Sequence, residues 1–216
     1  MNDAARVKHC LNAVALMFIE RQDELSELDR KVGDGDHGVS MARGAEAAKE
    51  ALAQLPDDHT INDAFLVYGH ALLDHIGGAM GPLFGSILLA FAQATLHTQT
   101  LTVTSLKRGF TLALEDVVDL GNAQVGDKTM VDALDPAAHA ASNVADDASV
   151  LTLLKACEQA AHQGMLSTTD MIAKRGRSKY RKEGSIGFQD AGATSFYYFV
   201  KTMHDAYEEV QHEEVS

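Results

Sequence analysis

Apolar residues recur every three or four positions along most of this chain, which is the spacing of the buried face of an α-helix. The first such stretch runs from Val7 through Leu28 and ends where the sequence becomes glycine-rich. Seven similar stretches follow, at about 39–55, 61–75, 82–97, 103–120, 128–141, 149–164 and 193–210. The periodicity therefore predicts eight helices and an all-α fold.

The composition agrees with this fold class. With no tryptophan, 6% aromatic residues and three prolines among 216 residues, the chain lacks the aromatic content that β-sandwich strands favour. The segment 195–200 looks strand-like in isolation, but Phe196, Phe199 and Met203 keep the helical spacing. No linker or internal repeat divides the sequence, so we predict a single domain over residues 1–216.

Charge and cysteine content exclude several classes of protein. The 31 acidic and 18 basic residues give a formal net charge of −13, which repels nucleic acid and anionic membranes. The longest apolar stretch, residues 87–92, is far shorter than the roughly 20 residues that cross a bilayer. Cys10 and Cys157 provide no disulfide framework, and no secretory signal begins the sequence. We expect no nucleic-acid partner, no membrane association and a cytoplasmic location.

Three aspartates lie within eight positions in the segment 28–38. Asp29, Asp34 and Asp36 offer a density of oxygen ligands that suits a hard cation such as Mg²⁺. An EF-hand is disfavoured because position twelve, counted from Asp34, is Ala45 rather than glutamate. The alternative is that the aspartates only cap the following helix. The three together, beside His37, favour the metal site.

The segment 77–85, Gly-Gly-Ala-Met-Gly-Pro-Leu-Phe-Gly, runs into the start of a helix. Glycines let backbone amides converge on an anion, and the helix N-terminus adds a partial positive charge, so phosphate is the expected ligand. The segment is neither a Walker A loop nor a dinucleotide fingerprint. Close helix packing is the alternative explanation for these glycines.

The segment 173–182 holds six of the eighteen basic residues. In an acidic protein this concentration indicates an anionic partner, and a mobile lid over phosphates is one interpretation. A solvated surface loop or a localisation-like tract is the other. The segment 121–130 by itself predicts only a helix start capped by Asp127. Together, the carboxylates, the glycine-rich segments and the basic segment are the components of metal-assisted phosphoryl transfer.

Four ordered blocks resemble a known family, the nucleotide-binding L subunit of dihydroxyacetone kinase and the equivalent C-terminal domain of the fused ATP-dependent kinases. The blocks are Leu-Asp-Arg-Lys-Val-Gly-Asp-Gly-Asp-His-Gly at 28–38, the glycine-rich segment at 77–85, Gly-Asp-Lys-Thr-Met at 126–130, and the stretch 176–195 from Gly-Arg-Ser-Lys-Tyr to Asp-Ala-Gly-Ala-Thr-Ser. The similarity spans nearly the whole chain.

The resemblance implies an eight-helix antiparallel barrel with ADP or ATP bound at one end and two Mg²⁺ ions held by Asp29, Asp34 and Asp36. It also implies a set of residues that line the nucleotide site. They are His37, Gly38, Val39, Ser40, Ala79, Met80, Gly121, Met130, Arg177, Asp190, Ala191 and Gly192.

Three positions depart from the family's pattern. Met80 replaces a small, usually hydroxylated residue, which removes one hydrogen bond to phosphate worth about 1–3 kcal/mol. Ala191 replaces the proline after Asp190, and we expect a looser lid because proline restricts the unfolded chain. Phe188 replaces a histidine.

The resemblance further implies two partner proteins. In the phosphotransferase-system version, ADP stays bound as a cofactor, a phosphohistidine on an M subunit rephosphorylates it, and the phosphoryl group passes to a triose held on a K subunit. We expect this version because the chain carries no fused triose domain. A homodimer is a further alternative, since helix periodicity does not distinguish a core face from a dimer face.

Other functions remain as alternatives. One is a subunit of an ATP-dependent ketose or polyol kinase, and another is a nucleotide-binding regulatory module. A third is an HD-type metal-dependent phosphohydrolase, suggested by the pair His204 and Asp205 together with His70, His75 and Asp74. We expect the His204–Asp205 pair to lie exposed on an amphipathic helix, which disfavours that function.

Overall fold

The computed structural model describes residues 1–213, and within them it contains helices but no strand. This confirms the all-α class. The α-helices are α1 (Asp3–Glu20), α2 (Gln22–Val32), α3 (His37–Ala53), α4 (Ile61–His75), α5 (Met80–Ala94), α6 (Val103–Gly121), α7 (Val131–Asn143), α8 (Val150–Ser167) and α9 (Ala191–Glu213). Two 3₁₀ segments, Thr168–Asp170 and Ser178–Ser185, lie between α8 and α9.

The first predicted helix is in fact two helices, so residues 1–213 contain nine α-helices rather than eight. Arg21 leaves the helical conformation at φ −94° and ψ 13°, although its N–H still donates to the Met17 carbonyl. Apolar spacing continues across this break, from Phe18 to Leu25, which is why periodicity alone joined the two helices. The other predicted helix ends lie within three residues of the observed ones.

Eight of the helices form a closed ring. In this ring α1 packs against α3, each helix from α3 to α8 packs against the next, and α9 returns to α1. Successive helices that pack side by side run antiparallel. Helix α2 connects α1 to α3 and packs mainly on α3. The ring is the predicted eight-helix barrel, and α2 is an addition to it.

The ring encloses an apolar core centred on aromatic side chains. The Phe91 ring stacks on Phe65 with centroids 5.5 Å apart and meets Phe110 edge-on at 5.1 Å. Gly109 makes this approach feasible, because a Cβ atom there would lie 2.3 Å from the Phe91 ring. The contact between α5 and α6 therefore depends on the absence of a side chain at one position.

Helix α5 contains the longest apolar stretch of the sequence, yet it has only 15 residues. None of the helices in residues 1–213 combines the length and hydrophobicity that a bilayer crossing requires.

We predict that Gly109→Ala destabilises the protein by about 1–3 kcal/mol, because the added methyl group must displace the Phe91 ring within a close-packed core. Urea unfolding followed by circular dichroism measures the effect. Gly121→Ala, at the end of the same helix, is the matched control, since its Cβ would lie at an ordinary 3.5 Å from Leu83. Equal stability of the two variants would contradict the packing argument.

Candidate metal and nucleotide site

The four sequence motifs all precede helices that begin at the same end of the ring. In an antiparallel ring the N-termini of α3, α5, α7 and α9 share one end, and the motifs form the segments before these helices. Contacts between the elements agree with this arrangement. His37 at the start of α3 lies 2.7 Å from the Ser195 hydroxyl of α9. A Cβ at Gly121, the last residue of α6, would lie 3.5 Å from Leu83 of α5. Each N-terminus contributes partial positive charge and unpaired backbone N–H groups.

The predicted metal ligands come together. Oxygens of Asp29, Asp34 and Asp36 all lie within 4.8 Å of one another. Gly35 has φ 81°, and its N–H donates to Asp29 Oδ2 at 2.8 Å, so the loop turns around the carboxylate. A Cβ at Gly33 would lie 2.2 Å from Asp29 Oδ1. Three carboxylates, one from the last turn of α2 and two from the loop before α3, match the preference of Mg²⁺ for oxygen ligands.

Arg177 brings the basic segment onto this cluster. Its guanidinium forms ion pairs with Asp34 and with Asp36, the second at 3.2 Å. All three side chains are largely exposed, so the pairing is screened and readily exchanged. Arg177 of the predicted lid thus contacts two of the three predicted metal ligands.

The first turn of α3 is positioned by burial. His37 is buried against Ser195, and burial lowers the pKa of its imidazole to about 4, so the ring is neutral near pH 7. A Cβ at Gly38 would lie 1.9 Å from a backbone oxygen of α2, so this glycine is required for packing. Val39 is half exposed and Ser40 is partly exposed. Contact of these residues with a nucleotide stays a prediction.

The glycines at 77–85 have two different roles. A Cβ at Gly77 or Gly78 would meet nothing within 4 Å, and Gly78 has φ 70°, so an anion has room to approach the backbone there. In contrast, a Cβ at Gly81 would lie 2.2 Å from the Ile76 carbonyl oxygen. Helix packing therefore accounts for Gly81, whereas anion binding at Gly77 and Gly78 stays a prediction. Ala79 occupies the N-cap position of α5 without a capping hydrogen bond from its side chain.

Lys128 links the segment before α7 to the residues that flank the basic segment, a contact that the sequence does not predict. Its side chain is buried and its backbone has φ 59°. The ammonium group donates to the carbonyls of Met171, Ser185 and Phe188, at 3.2, 2.6 and 2.7 Å. Burial lowers the pKa of Lys128. One buried cation thus joins the two ends of the basic segment, a link that no helical periodicity reveals.

Asp127 does not cap a helix as predicted, since α7 begins later, at Val131. Its buried carboxylate instead pairs with Lys174 at 3.3 Å and with Arg175 at 3.2 Å. Burial by itself would raise the pKa of Asp127, but the hydrogen bond from the Gln124 N–H and those from Arg175 and Lys174 together lower it. The segment before α7 therefore holds the base of the predicted lid through both Asp127 and Lys128.

The start of α9 completes this end of the ring. Asp190 accepts a hydrogen bond from the Ala193 N–H at 2.7 Å and so caps the helix. Burial raises the pKa of Asp190 to about 7, and the nearby Asp132 carboxylate adds to the shift. A Cβ at Gly192 would lie 3.1 Å from Asp190 and 3.6 Å from Met130. Met130 is buried. The structure therefore brings the predicted residues Met130, Asp190 and Gly192 together at the start of α9.

The three residues that depart from the family pattern each contact neighbouring parts of the fold. Met80 is the first residue of α5 and packs partly against the core. Phe188 supplies a carbonyl to Lys128, and its ring lies 5.6 Å from Lys31 Nζ. Ala191 is buried as the first residue of α9. Their effects on affinity and on the lid stay predictions.

The expectation that His204 is exposed is wrong. His204 is buried in the α8–α9 contact, whereas Asp205 is exposed. The reason is that α9 packs against α7 and α8 as well as α1, so its buried face is wide. Among the described residues, His204 and Asp205 cluster with Glu158 and not with the histidines or aspartate of α4. The ligand set suggested for an HD-type phosphohydrolase is not assembled.

The fold and site together define an all-α barrel domain with a carboxylate cluster, an anion-accessible glycine loop and a basic segment at one end. Residues 31–205 match the DAK2 domain. The chain therefore belongs to the DAK2 domain family, which confirms the resemblance seen in the sequence.

Relatives with known names support this assignment. The ADP-binding subunit DhaL of the PEP-dependent dihydroxyacetone kinase of Escherichia coli (strain K12) is 37% identical over 188 residues, covering 87% of this chain and 89% of the relative. The D-erythrulose kinase of Mycolicibacterium smegmatis is 32% identical, covering 94% of this chain but 35% of the relative. The crystal structure of the C. freundii dihydroxyacetone kinase with AMP-PNP and Mg²⁺ matches with a TM-score of 0.71 and 27% identity, covering 93% of this chain and 34% of that one.

We predict that Lys128→Met loosens the basic segment, because three buried carbonyls lose their donor at a cost of about 1–3 kcal/mol. Chymotrypsin cleavage after the exposed Tyr180 should become faster, as measured by mass spectrometry of timed digests. Lys174→Met is the matched control, since Lys174 contacts the same loop from an exposed position and its loss should cost less than about 1 kcal/mol. Unchanged cleavage in Lys128→Met would show that the three hydrogen bonds of Lys128 do not order the basic segment.

Proposed function

We propose that this chain is the nucleotide-carrying subunit of a phosphoenolpyruvate-dependent dihydroxyacetone kinase. The observation that carries the proposal is that Arg177 pairs with two members, Asp34 and Asp36, of the Asp29, Asp34 and Asp36 cluster, at the end of the ring where four helix N-termini meet. The relatives that match over most of their length, from Escherichia coli and Listeria innocua, are named as ADP-binding subunits of such kinases.

The residues present fit a magnesium nucleotide. Asp29, Asp34 and Asp36 would hold Mg²⁺, with two ions expected, and the metal would neutralise phosphate charge. The open backbone at Gly77 and Gly78 would bind phosphate oxygens through N–H groups. Arg177 would turn from the carboxylates to the phosphates and so exclude water from them. No side chain of this chain needs to act as a general base, and the neutral, buried His37 is suited to a structural role.

The remaining components belong to partner proteins. A triose-binding K subunit would present the acceptor hydroxyl, and an M subunit would rephosphorylate bound ADP through a phosphohistidine. We further propose that dihydroxyacetone is the acceptor, that the protein is cytoplasmic and that it forms a homodimer. The DhaL relative of E. coli supports the ADP-binding role.

A second candidate is the corresponding part of an ATP-dependent ketose kinase. The observation in its favour is the 32% identity to the D-erythrulose kinase of Mycolicibacterium smegmatis over 94% of this chain. The two candidates differ in whether the nucleotide stays bound or exchanges. A nucleotide-binding regulatory module would bind ADP but transfer no phosphoryl group when the K and M subunits are supplied.

The nucleotide carried by the purified protein separates these functions. We expect near-stoichiometric ADP to be released when protein purified in Mg²⁺ without added nucleotide is denatured and analysed by chromatography. Protein that is empty but binds added ATP would favour the ATP-dependent kinase. Failure to bind any adenine nucleotide with Mg²⁺ would exclude both kinases.

We predict that Asp34→Ala weakens Mg²⁺-dependent ADP binding by about tenfold or more, because one of three metal ligands is lost. Equilibrium dialysis with and without Mg²⁺ measures the change. Asp58→Ala is the matched control, since Asp58 is exposed in the loop between α3 and α4. Equal Mg²⁺-dependent affinity of Asp34→Ala and Asp58→Ala would refute the metal assignment.

A further inference from the structure

A second cluster of potential metal ligands joins α8 to α9. Glu158 of α8 and His204 and Asp205 of α9 each offer one ligand atom, and these atoms lie within 4.8 Å of one another. His204 follows Ala191, the first residue of α9, by 13 positions, which is about 20 Å along the helix. The cluster is therefore separate from the nucleotide end of the ring.

The buried His204 side chain is the observation that points to a ligand. It is only 9% exposed, and Nδ1 is directed into the cluster, 2.7 Å from Glu158 Oε2 and 3.7 Å from Asp205 Oδ1. Nevertheless, neither ring nitrogen makes a hydrogen bond in the part of the chain that the structure describes. At 2.7 Å the distance is suitable, so it is the direction of approach that does not suit an N–H···O bond. Buried polar groups of this kind normally have a partner.

Close approach without a hydrogen bond is what shared metal coordination produces. When metal–ligand bonds are about 2.0–2.1 Å long, neighbouring ligand atoms lie about 3 Å apart and the imidazole lone pair points at the ion. The distances from Nδ1 to the two carboxylates, 2.7 and 3.7 Å, lie on either side of that value. One imidazole and two carboxylates suit a first-row transition ion or zinc better than Mg²⁺, which prefers oxygen ligands throughout.

We propose that Glu158, His204 and Asp205 bind a divalent transition-metal ion, with water in the remaining coordination positions. Such an ion cross-links α8 to α9 outside the nucleotide site. Lys201 is the local competitor, because its ammonium lies 2.5 Å from Asp205 Oδ2. A bound cation and Lys201 repel each other, so removal of the Lys201 charge should strengthen metal binding. This inference does not rest on the proposed kinase function.

The test uses untagged, full-length protein stripped with EDTA and titrated with Co²⁺, whose visible absorption reports on its ligands, and with Zn²⁺ in a calorimeter. We expect one equivalent to bind to the wild type and also to Asp34→Ala, in which the other cluster is disabled. His204→Gln and Asp205→Asn should each bind at least about tenfold more weakly. Asp205 is exposed, so Asp205→Asn retains the fold even if His204→Gln does not. Lys201→Met should bind more tightly.

His139→Gln is the matched control. His139 is exposed on α7 and lies 3.3 Å from Asp135, but this pair has no third ligand in its cluster among the described residues. Its variant should bind as the wild type does. The proposal is overturned if Asp34→Ala binds no equivalent, or if His204→Gln and Asp205→Asn bind as tightly as His139→Gln. Those results would show that Glu158 and His204 form only an ion pair.

Discussion

The candidate site depends on one geometric constraint, the closure of eight helices into an antiparallel ring. Closure directs the N-termini of α3, α5, α7 and α9 toward one end, so the four segments that precede them meet there. Each N-terminus supplies unpaired N–H groups and partial positive charge, and four of them at one end favour an anionic ligand. This explains how a chain with a net charge of −13 can present an end that attracts anions. The attraction is local to that end and does not require a basic protein.

The same end also concentrates charges that would be unfavourable if they were isolated. The three aspartates repel one another, and in this structure Arg177 lies on two of them. Asp190 is partly buried, and its loss of hydration raises its pKa, to which the nearby Asp132 carboxylate adds. Lys128 is buried but donates to three carbonyls, which offsets part of its loss of hydration. This distribution of acidic and basic groups suits a ligand that carries both positive and negative charge, as a metal–phosphate complex does.

The ring is a self-contained unit, since α9 packs back on α1 and the apolar core lies inside. This accounts for its occurrence in two settings. It covers most of the E. coli ADP-binding subunit but only about a third of the C. freundii kinase chain. A domain whose core is closed can be joined to another protein covalently or by docking without repacking. The positions that differ from the family pattern, such as Met80, lie at the site rather than in the ring closure.

The sequence by itself determined the helix class, seven of the helices to within three residues, and the family. It could do so because apolar periodicity and short glycine-rich or acidic motifs are local properties of a chain. It also predicted that Asp29, Asp34 and Asp36 form one cluster, since they lie within eight positions where one helix ends and the next begins. Only the tertiary structure decided that Arg21 divides the first helix, that Lys128 closes the basic segment, and that His204 is buried beside Glu158. Those features depend on contacts between residues that are far apart in sequence. Helix packing decides which of these residues meet, and the local sequence pattern does not record it.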